Sequence, residues 1–163
     1  MGRRFIPART PDGEVPEVQS VSYLTGQLIV RGAVVFTDAA GLLNLAGANP
    51  ASILGVALED AASKPGWQAA NSPTVITGRV QEVSTAIANR SSVFSGRMIS
   101  GATDPFTPLQ ADLNTSFNIV NQGNGDWVID HANVAAARVR VVDVDIPNNL
   151  ALFKFLEANL QRP

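Results

Sequence analysis

ARVRVVDVDIPNNLALFKFLE, residues 137–157, contains the strand pattern from which the fold can be worked out. Apolar and charged residues alternate up to Val141, and the alternation resumes one position out of phase at Val142. A continuous strand would therefore aim the two arginines and the two aspartates of this stretch at opposite faces. One extra residue near Val141 and Val142 returns all four charges to the same face, so the pattern predicts a β-bulge there. The four charged residues are Arg138, Arg140, Asp143 and Asp145.

A turn at residues 147–149 separates this strand from a second apolar segment, residues 150–157. The second segment allows two interpretations. The spacing of Leu152, Leu156 and Leu160 favours a helix, whereas the preceding turn favours a strand paired with its neighbour. We favour the strand and expect the last few residues of the chain to fray.

Similar short segments recur towards the amino terminus. Residues 27–38 have period two with a bend at Gly32, and residues 42–46 return after a turn, which predicts a hairpin. A short helix is expected around residues 86–88. Further strands are predicted at residues 53–58, 74–83 and 93–100, and a second hairpin at residues 117–121 and 127–130.

Roughly nine or ten short strands with turns at close intervals predict an all-β fold, a compact β-barrel or β-tulip-like domain. Residues 1–20 contain Pro7, Pro11, Pro16 and Gly13. Proline fixes φ and removes a backbone donor, so this segment is predicted to be an extended N-terminal arm or a disordered terminus. We expect one arm, residues 1–20, and a single β domain, residues 21–163.

The composition argues against several classes of partner. The chain has 163 residues, a formal net charge of -2 and 12 lysines and arginines that form no cluster, so we expect no nucleic-acid partner. Because there is no cysteine, neither a disulfide framework nor a thiolate metal site is available. No window approaches the about 20 consecutive apolar residues of a membrane helix. We therefore expect no membrane partner.

The sequence contains no convincing catalytic motif. His131 is the one histidine, and it follows Asp130. Adjacent residues of a strand point to opposite faces, so a surface or loop histidine is expected rather than a catalytic pair. No serine lies in a Gly-x-Ser-x-Gly elbow, and no glycine spacing matches a phosphate loop. We expect no enzyme, no cofactor and no small-molecule substrate.

Asp143 and Asp145 form the closest carboxylate pair on one predicted strand face. Such a pair is able to hold a hard cation with help from elsewhere. The nearby Arg138 and Arg140 favour ion pairs across strands or across an interface instead. We therefore predict no metal site, and assign these four charged residues to self-association.

Three further stretches are LTGQLIVRGAVVFTDAAGLLNL (residues 24–45), ILGVALEDAA (residues 53–62) and TVITGRVQEV (residues 74–83). Their order of strands, glycines and turns resembles the head decoration, or cement, proteins of tailed bacteriophages. The resemblance covers about residues 24–83. The hairpin of residues 137–157 is similar in style to the closing strands of larger relatives, and residues 84–136 have no counterpart.

The resemblance implies a non-enzymatic virion protein, assembled in the host cytoplasm, that binds the outer surface of the expanded icosahedral head as a homotrimer and stabilises it. It also implies that the N-terminal arm pairs with a strand of the major capsid protein. The arm residues that would dock are Arg3, Arg4, Phe5, Ile6, Pro7 and Arg9.

Two alternatives remain open at this point. One is a different virion component, such as a tail or baseplate module. The other is a carbohydrate-binding or hydrolytic β-domain that uses Trp67 or Trp127 as a stacking platform.

Overall fold

The computed structural model describes residues 5–10, 13–23, 29–61, 82–101, 104–123 and 125–161. Within these ranges there are two β-sheets and no α-helix, which confirms the all-β prediction. No helix in the described part is long and apolar enough to span a membrane. The strands are β1 Ile6–Ala8, β2 Val18–Ser22, β3 Val34–Thr37, β4 Leu43–Leu45, β5 Gly55–Ala57, β6 Glu82–Ile87, β7 Val93–Gly96, β8 Met98–Ser100, β9 Asp104–Phe106, β10 Ser116–Asn121, β11 Trp127–Asp130, β12 Val139–Asp145 and β13 Leu150–Phe155.

The larger sheet has eight strands in the order β1-β7-β13-β12-β10-β11-β8-β9. Its pairs are antiparallel except β11 with β8, which is parallel. Both predicted C-terminal hairpins, β10–β11 and β12–β13, lie at its centre. Two short 3₁₀ helices, Gln110–Asp112 and Glu157–Asn159, follow β9 and β13.

The smaller sheet has five strands in the order β2-β6-β5-β3-β4. The predicted hairpin β3–β4 turns at Asp38, whose carboxylate accepts hydrogen bonds from the N–H groups of Ala40 and Leu42. The Leu42 hydrogen bond is the main reason that the pKa of Asp38 is lowered. A single bridge between Tyr23 and Leu43 joins the two edges of this sheet. One bridge is not a continuous ladder, so we describe two sheets rather than a closed barrel.

The two sheets share one hydrophobic core. The larger sheet contributes aromatic rings, among them Phe94, Phe153 and Trp127, and the smaller sheet contributes aliphatic side chains such as Val34 and Val56. Fully burying one such side chain is worth about 1.5–3 kcal/mol, so side chains of this kind from both sheets hold the sheets together.

The β-bulge predicted in β12 is confirmed. Arg140 pairs with Lys154 and Val141 with Phe153, but the register then shifts so that Asp143 pairs with Leu152. The partner strand β13 alternates strictly between half-buried and buried residues, which confirms the strand interpretation of this segment.

One local prediction is wrong, and another does not hold at Gln161. Residues 86–88 do not form a helix, because Ala86 pairs with both Val18 and Val56 and the gain from two ladders outweighs the helix propensity of alanine. The C-terminal residues do not fray as far as Gln161. The Gln161 side chain accepts a hydrogen bond from the Thr37 N–H and donates one to the Thr37 carbonyl, both at 2.8 Å.

The N-terminal segment is part of both sheets. It forms the edge strand β1 of the larger sheet and the edge strand β2 of the smaller one, so the predicted boundary between residues 20 and 21 falls within β2. The predicted arm therefore needs revision. Its residues 5–8 and 18–20 lie on the body of the protein, because sheet hydrogen bonds and the burial of Phe5 hold them there.

Candidate protein-binding groove

A groove with a cavity volume of about 640 Å³ lies on the outward face of the larger sheet. We call it the outer groove. The chain that follows β1 forms one wall, strands β7 and β13 form the floor, and the bulge of β12 forms the other wall. The lining residues are Arg9, Thr10 and Glu14 on the N-terminal wall, Ser91, Val93, Leu152 and Lys154 on the floor, and Val142 and Asp143 on the bulge wall.

The N-terminal wall is held by a short set of hydrogen bonds. The Thr10 N–H donates to the Glu14 carbonyl at 2.9 Å, and the Gly13 N–H donates to the Thr10 carbonyl at 2.9 Å. Gly13 has a φ of 84°, a value that glycine adopts without strain. The chain is thereby reversed, and Arg9 and Glu14 end up on the same wall.

The register between β7 and β13 determines which side chains form the floor of the outer groove. Phe94 pairs with Phe153 on the inner face, so its neighbour Val93 must point outward, as Leu152 and Lys154 do. Val93 is nonetheless buried. Thr10 and Glu14 line two cavities together with Val93, which places the N-terminal segment over it.

The bulge supplies an exposed apolar side chain. Val142 occupies the extra position between Val141 and Asp143, and 36% of its surface is exposed. In a regular strand this position would not exist. The bulge therefore adds an apolar contact point to a face that otherwise carries charge.

The electrostatics of this face are not balanced within the described part of the chain. The Arg9 guanidinium and the Glu14 carboxylate make no hydrogen bond or ion pair there. Arg140 and Lys154 are directly opposite each other, and like charges in such a position destabilise a sheet. Both features would be relieved by a partner that brings complementary charges.

The structure separates the six predicted docking residues. Arg3 and Arg4 lie outside the described residues. Phe5 is buried with 1% of its surface exposed, and Ile6 points outward with 43% exposed. Arg9 lies on the wall of the outer groove, and Pro7 is half-buried within β1.

The four residues predicted to mediate self-association also have different environments. The Arg138 guanidinium donates to the carbonyls of Ala136 and Ala137, so it is occupied within its own chain. Asp145 accepts hydrogen bonds from Asn148 and caps the turn after β12. Arg140 and Asp143 are exposed. No salt bridge joins any two of the four, all of which lie in the described part of the chain.

Sequence reasoning missed one polar cluster. His131 Nε2 lies 3.0 Å from the Asp112 carboxylate, and the imidazole stacks on Phe106 and Phe117 with ring-centroid distances of 3.9 and 5.1 Å. The adjacent Asp130 instead accepts a hydrogen bond from the Ala132 N–H. His131 and Asp112 are 19 positions apart, so no local pattern signals the pair. The contact fixes the 3₁₀ helix against the sheet.

A stacking platform at Trp127, one of the open alternatives, does not fit the structure, because the Trp127 side chain is completely buried. Trp67 lies outside the described residues. Within the described ranges no three His, Cys, Asp or Glu side chains come close enough to hold a metal ion. Comparisons with models of known protein families, with curated proteins and with solved structures found no match to this chain.

Proposed function

We propose that this chain is a capsid decoration protein of a tailed bacteriophage, a non-enzymatic component of the virion surface that binds the major capsid protein and stabilises the expanded head as a homotrimer. The site we assign to capsid binding is the outer groove. The observation that carries this assignment is the combination, on one sheet face, of an exposed apolar wall at Val142 with unpaired charges at Arg9 and Glu14.

This combination fits a protein partner. Protein interfaces have an apolar centre and a polar rim, and burying the centre supplies most of the affinity. In the outer groove, Val142 and Leu152 are the apolar groups that stay accessible, and charged groups of both signs surround them. A partner segment with a carboxylate near Arg140 and Lys154 would also relieve their mutual repulsion.

The resemblance to head decoration proteins adds independent support. Its residues 24–83 include β3, β4 and β5, which form the far edge and centre of the smaller sheet. These strands belong to the smaller sheet, and none of them lines the outer groove on the larger one. Residues 62–81 of the same stretch lie outside the described residues.

The proposal is tested by co-sedimentation with expanded, DNA-free shells assembled from the major capsid protein of the same genome. We expect the wild-type chain to pellet with the shells, and Val142→Asp to bind at least about tenfold more weakly, equivalent to about 1.4 kcal/mol. Val134→Asp is the matched control, because Val134 is 60% exposed but does not line the outer groove.

Two outcomes would overturn the proposal. One is a wild-type chain that does not bind shells, or a genome that encodes no major capsid protein. The other is equal binding by the two valine variants, which would place the contact elsewhere. Light scattering of the purified chain tests separately whether it forms a trimer. Cryo-electron microscopy that locates the chain on a tail would favour a tail or baseplate module instead.

A further inference from the structure

The N-terminal strand is held to the larger sheet by an aromatic side chain that fills an apolar pocket, and we call the strand the plug and the pocket the socket. The plug is residues 5–8, and its main anchor is the Phe5 ring. The socket is made by Phe94, Gly96, Phe153 and Phe155. The Phe5 ring lies 4.7 Å from the Phe153 ring and 6.5 Å from the Phe155 ring, measured between centroids.

Gly96 makes the socket possible. A β-carbon at this position would lie 2.5 Å from Cδ1 of Phe5 and 3.2 Å from Cε1 of Phe153. Such contacts are too short, so any larger residue would displace the Phe5 ring. The socket is therefore shaped for this particular aromatic side chain.

The plug has few other attachments. Its strand β1 has three residues and, among the described residues, lies at the edge of the sheet and pairs with β7 alone. The outward side chain of Ile6 is 43% exposed and contributes little burial. The Phe5 ring is worth about 1.5–3 kcal/mol when fully buried, and the short β1–β7 ladder adds to it.

The chain that connects the plug to β2 reverses direction through the hydrogen bonds between Thr10, Gly13 and Glu14. If these few hydrogen bonds open, the plug can leave without disturbing any strand pair of the described residues other than β1–β7. The empty socket then presents the edge of β7 and an apolar hole that fits one known segment, the plug itself.

We infer that the socket accepts the plug of a second copy of this chain, so that neighbouring copies exchange their N-terminal strands. Exchange preserves every plug contact and changes only the connecting turn, which is the usual energetic basis of strand swapping. It becomes favourable when copies are held close together, because the local concentration of plugs then competes with the copy's own plug.

Replacement suits this edge better than addition of a further strand. Pro7 is the central residue of β1 and has no N–H to donate to a strand on its outer side. A partner strand would therefore gain more by taking the place of β1 than by pairing beside it. The inference goes beyond capsid binding and holds whether or not that binding is found.

Because the chain has no cysteine, single cysteines can report exchange. Ile6 and Ser95 are register partners in β1 and β7. One preparation carries Ile6→Cys and the other Ser95→Cys with an isotope label, and the two are mixed, incubated and treated with a short thiol-specific cross-linker. We expect a cross-linked pair that contains one chain of each kind, identified by mass.

One control measures cross-linking by random collision, and a second shows that the cross-linker spans the distance between positions 6 and 95. Val134→Cys mixed with Ser95→Cys measures random collision, since Val134 is exposed and lies outside both plug and socket. The double variant Ile6→Cys/Ser95→Cys should cross-link within one chain, which shows that the reagent spans the pair. If it does so while the mixed single variants give no more product than the collision control, the inference is wrong.

Two further variants separate exchange from other self-association. Gly96→Ala in the Ser95→Cys chain closes the socket and should abolish the mixed product. Deletion of residues 11–13 joins Thr10 directly to Glu14 and removes the chain reversal between them, so the plug should return to its own socket less readily. This variant should increase the mixed product at least about tenfold and form closed oligomers. A shortened chain that stays monomeric with an intact fold by circular dichroism would also overturn the inference.

Discussion

The two faces of the eight-stranded sheet differ in their residues and in how closely they are packed. The inner face is aromatic and closely packed around Phe94, Phe153 and Phe155. The outer face carries Lys154 and Asp143, a bulge, and a wall contributed by a distant part of the chain. Alternation in a strand therefore decides which face a residue occupies, whereas the shape of the outer face depends on contacts that alternation does not encode.

Single-residue deletions in β13 and β12 provide the strongest test of this difference. Deleting Leu152 shifts one half of β13 by one position and turns Phe153 and Phe155 outward, so we expect the protein not to fold. Deleting Val142 removes only the bulge and leaves every other residue of β12 on its present face. We expect that variant to fold and to lose less than about 2 kcal/mol of unfolding free energy.

The measurement is denaturant unfolding followed by near-ultraviolet circular dichroism of the buried aromatic residues. The Val142 deletion should also lose binding to shells, because it removes the apolar wall of the outer groove. If deletion of Val142 unfolds the chain as completely as deletion of Leu152, the bulge is required for the inner face as well, and the separation between the two faces does not hold.

The next largest effect compares neighbouring residues on opposite faces of one strand. Phe5→Ala empties a socket on the inner face and should cost about 3 kcal/mol of unfolding free energy. Ile6→Ala, on the outer face, should cost less than about 1 kcal/mol. Hydrogen exchange at β7 should rise in the first variant alone, and equal protection in both would contradict the plug description.

The sequence predicted the elements that depend on local patterns. The bulge, the three hairpins and the strand at Leu150–Phe155 all follow from alternation and turn residues. It failed where distant residues meet. Proline content suggested an extended arm or a disordered terminus, but the burial of Phe5 and strand pairing with β7 and β6 hold residues 5–8 and 18–20 on the sheets.

The same limit applies to the polar contacts. Gln161 binds Thr37 across 124 positions, and no periodicity reports such a pair. The candidate groove was not predicted from the sequence. Arg9 was assigned to capsid docking and Asp143 to self-association, and their position on one groove follows from the turn at Thr10–Glu14, which is visible only in three dimensions.

The smallest effect concerns the like charges of the outer face. Lys154→Glu would place a carboxylate opposite Arg140 and should stabilise the sheet by about 0.2–1 kcal/mol at low salt. The net gain is smaller than this, because the substitution also removes the hydrogen bond from Lys154 Nζ to the Arg90 carbonyl. The gain should disappear near 1 M salt, because exposed charges are screened. Lys154→Gln separates the removal of repulsion from the new attraction.

If Lys154→Glu is more stable yet binds shells more weakly, the outer face holds an unfavourable pair of charges whose benefit appears only when a partner covers it. If stability does not rise at low salt, the two charges already avoid each other in water, and partner binding has no repulsion to relieve.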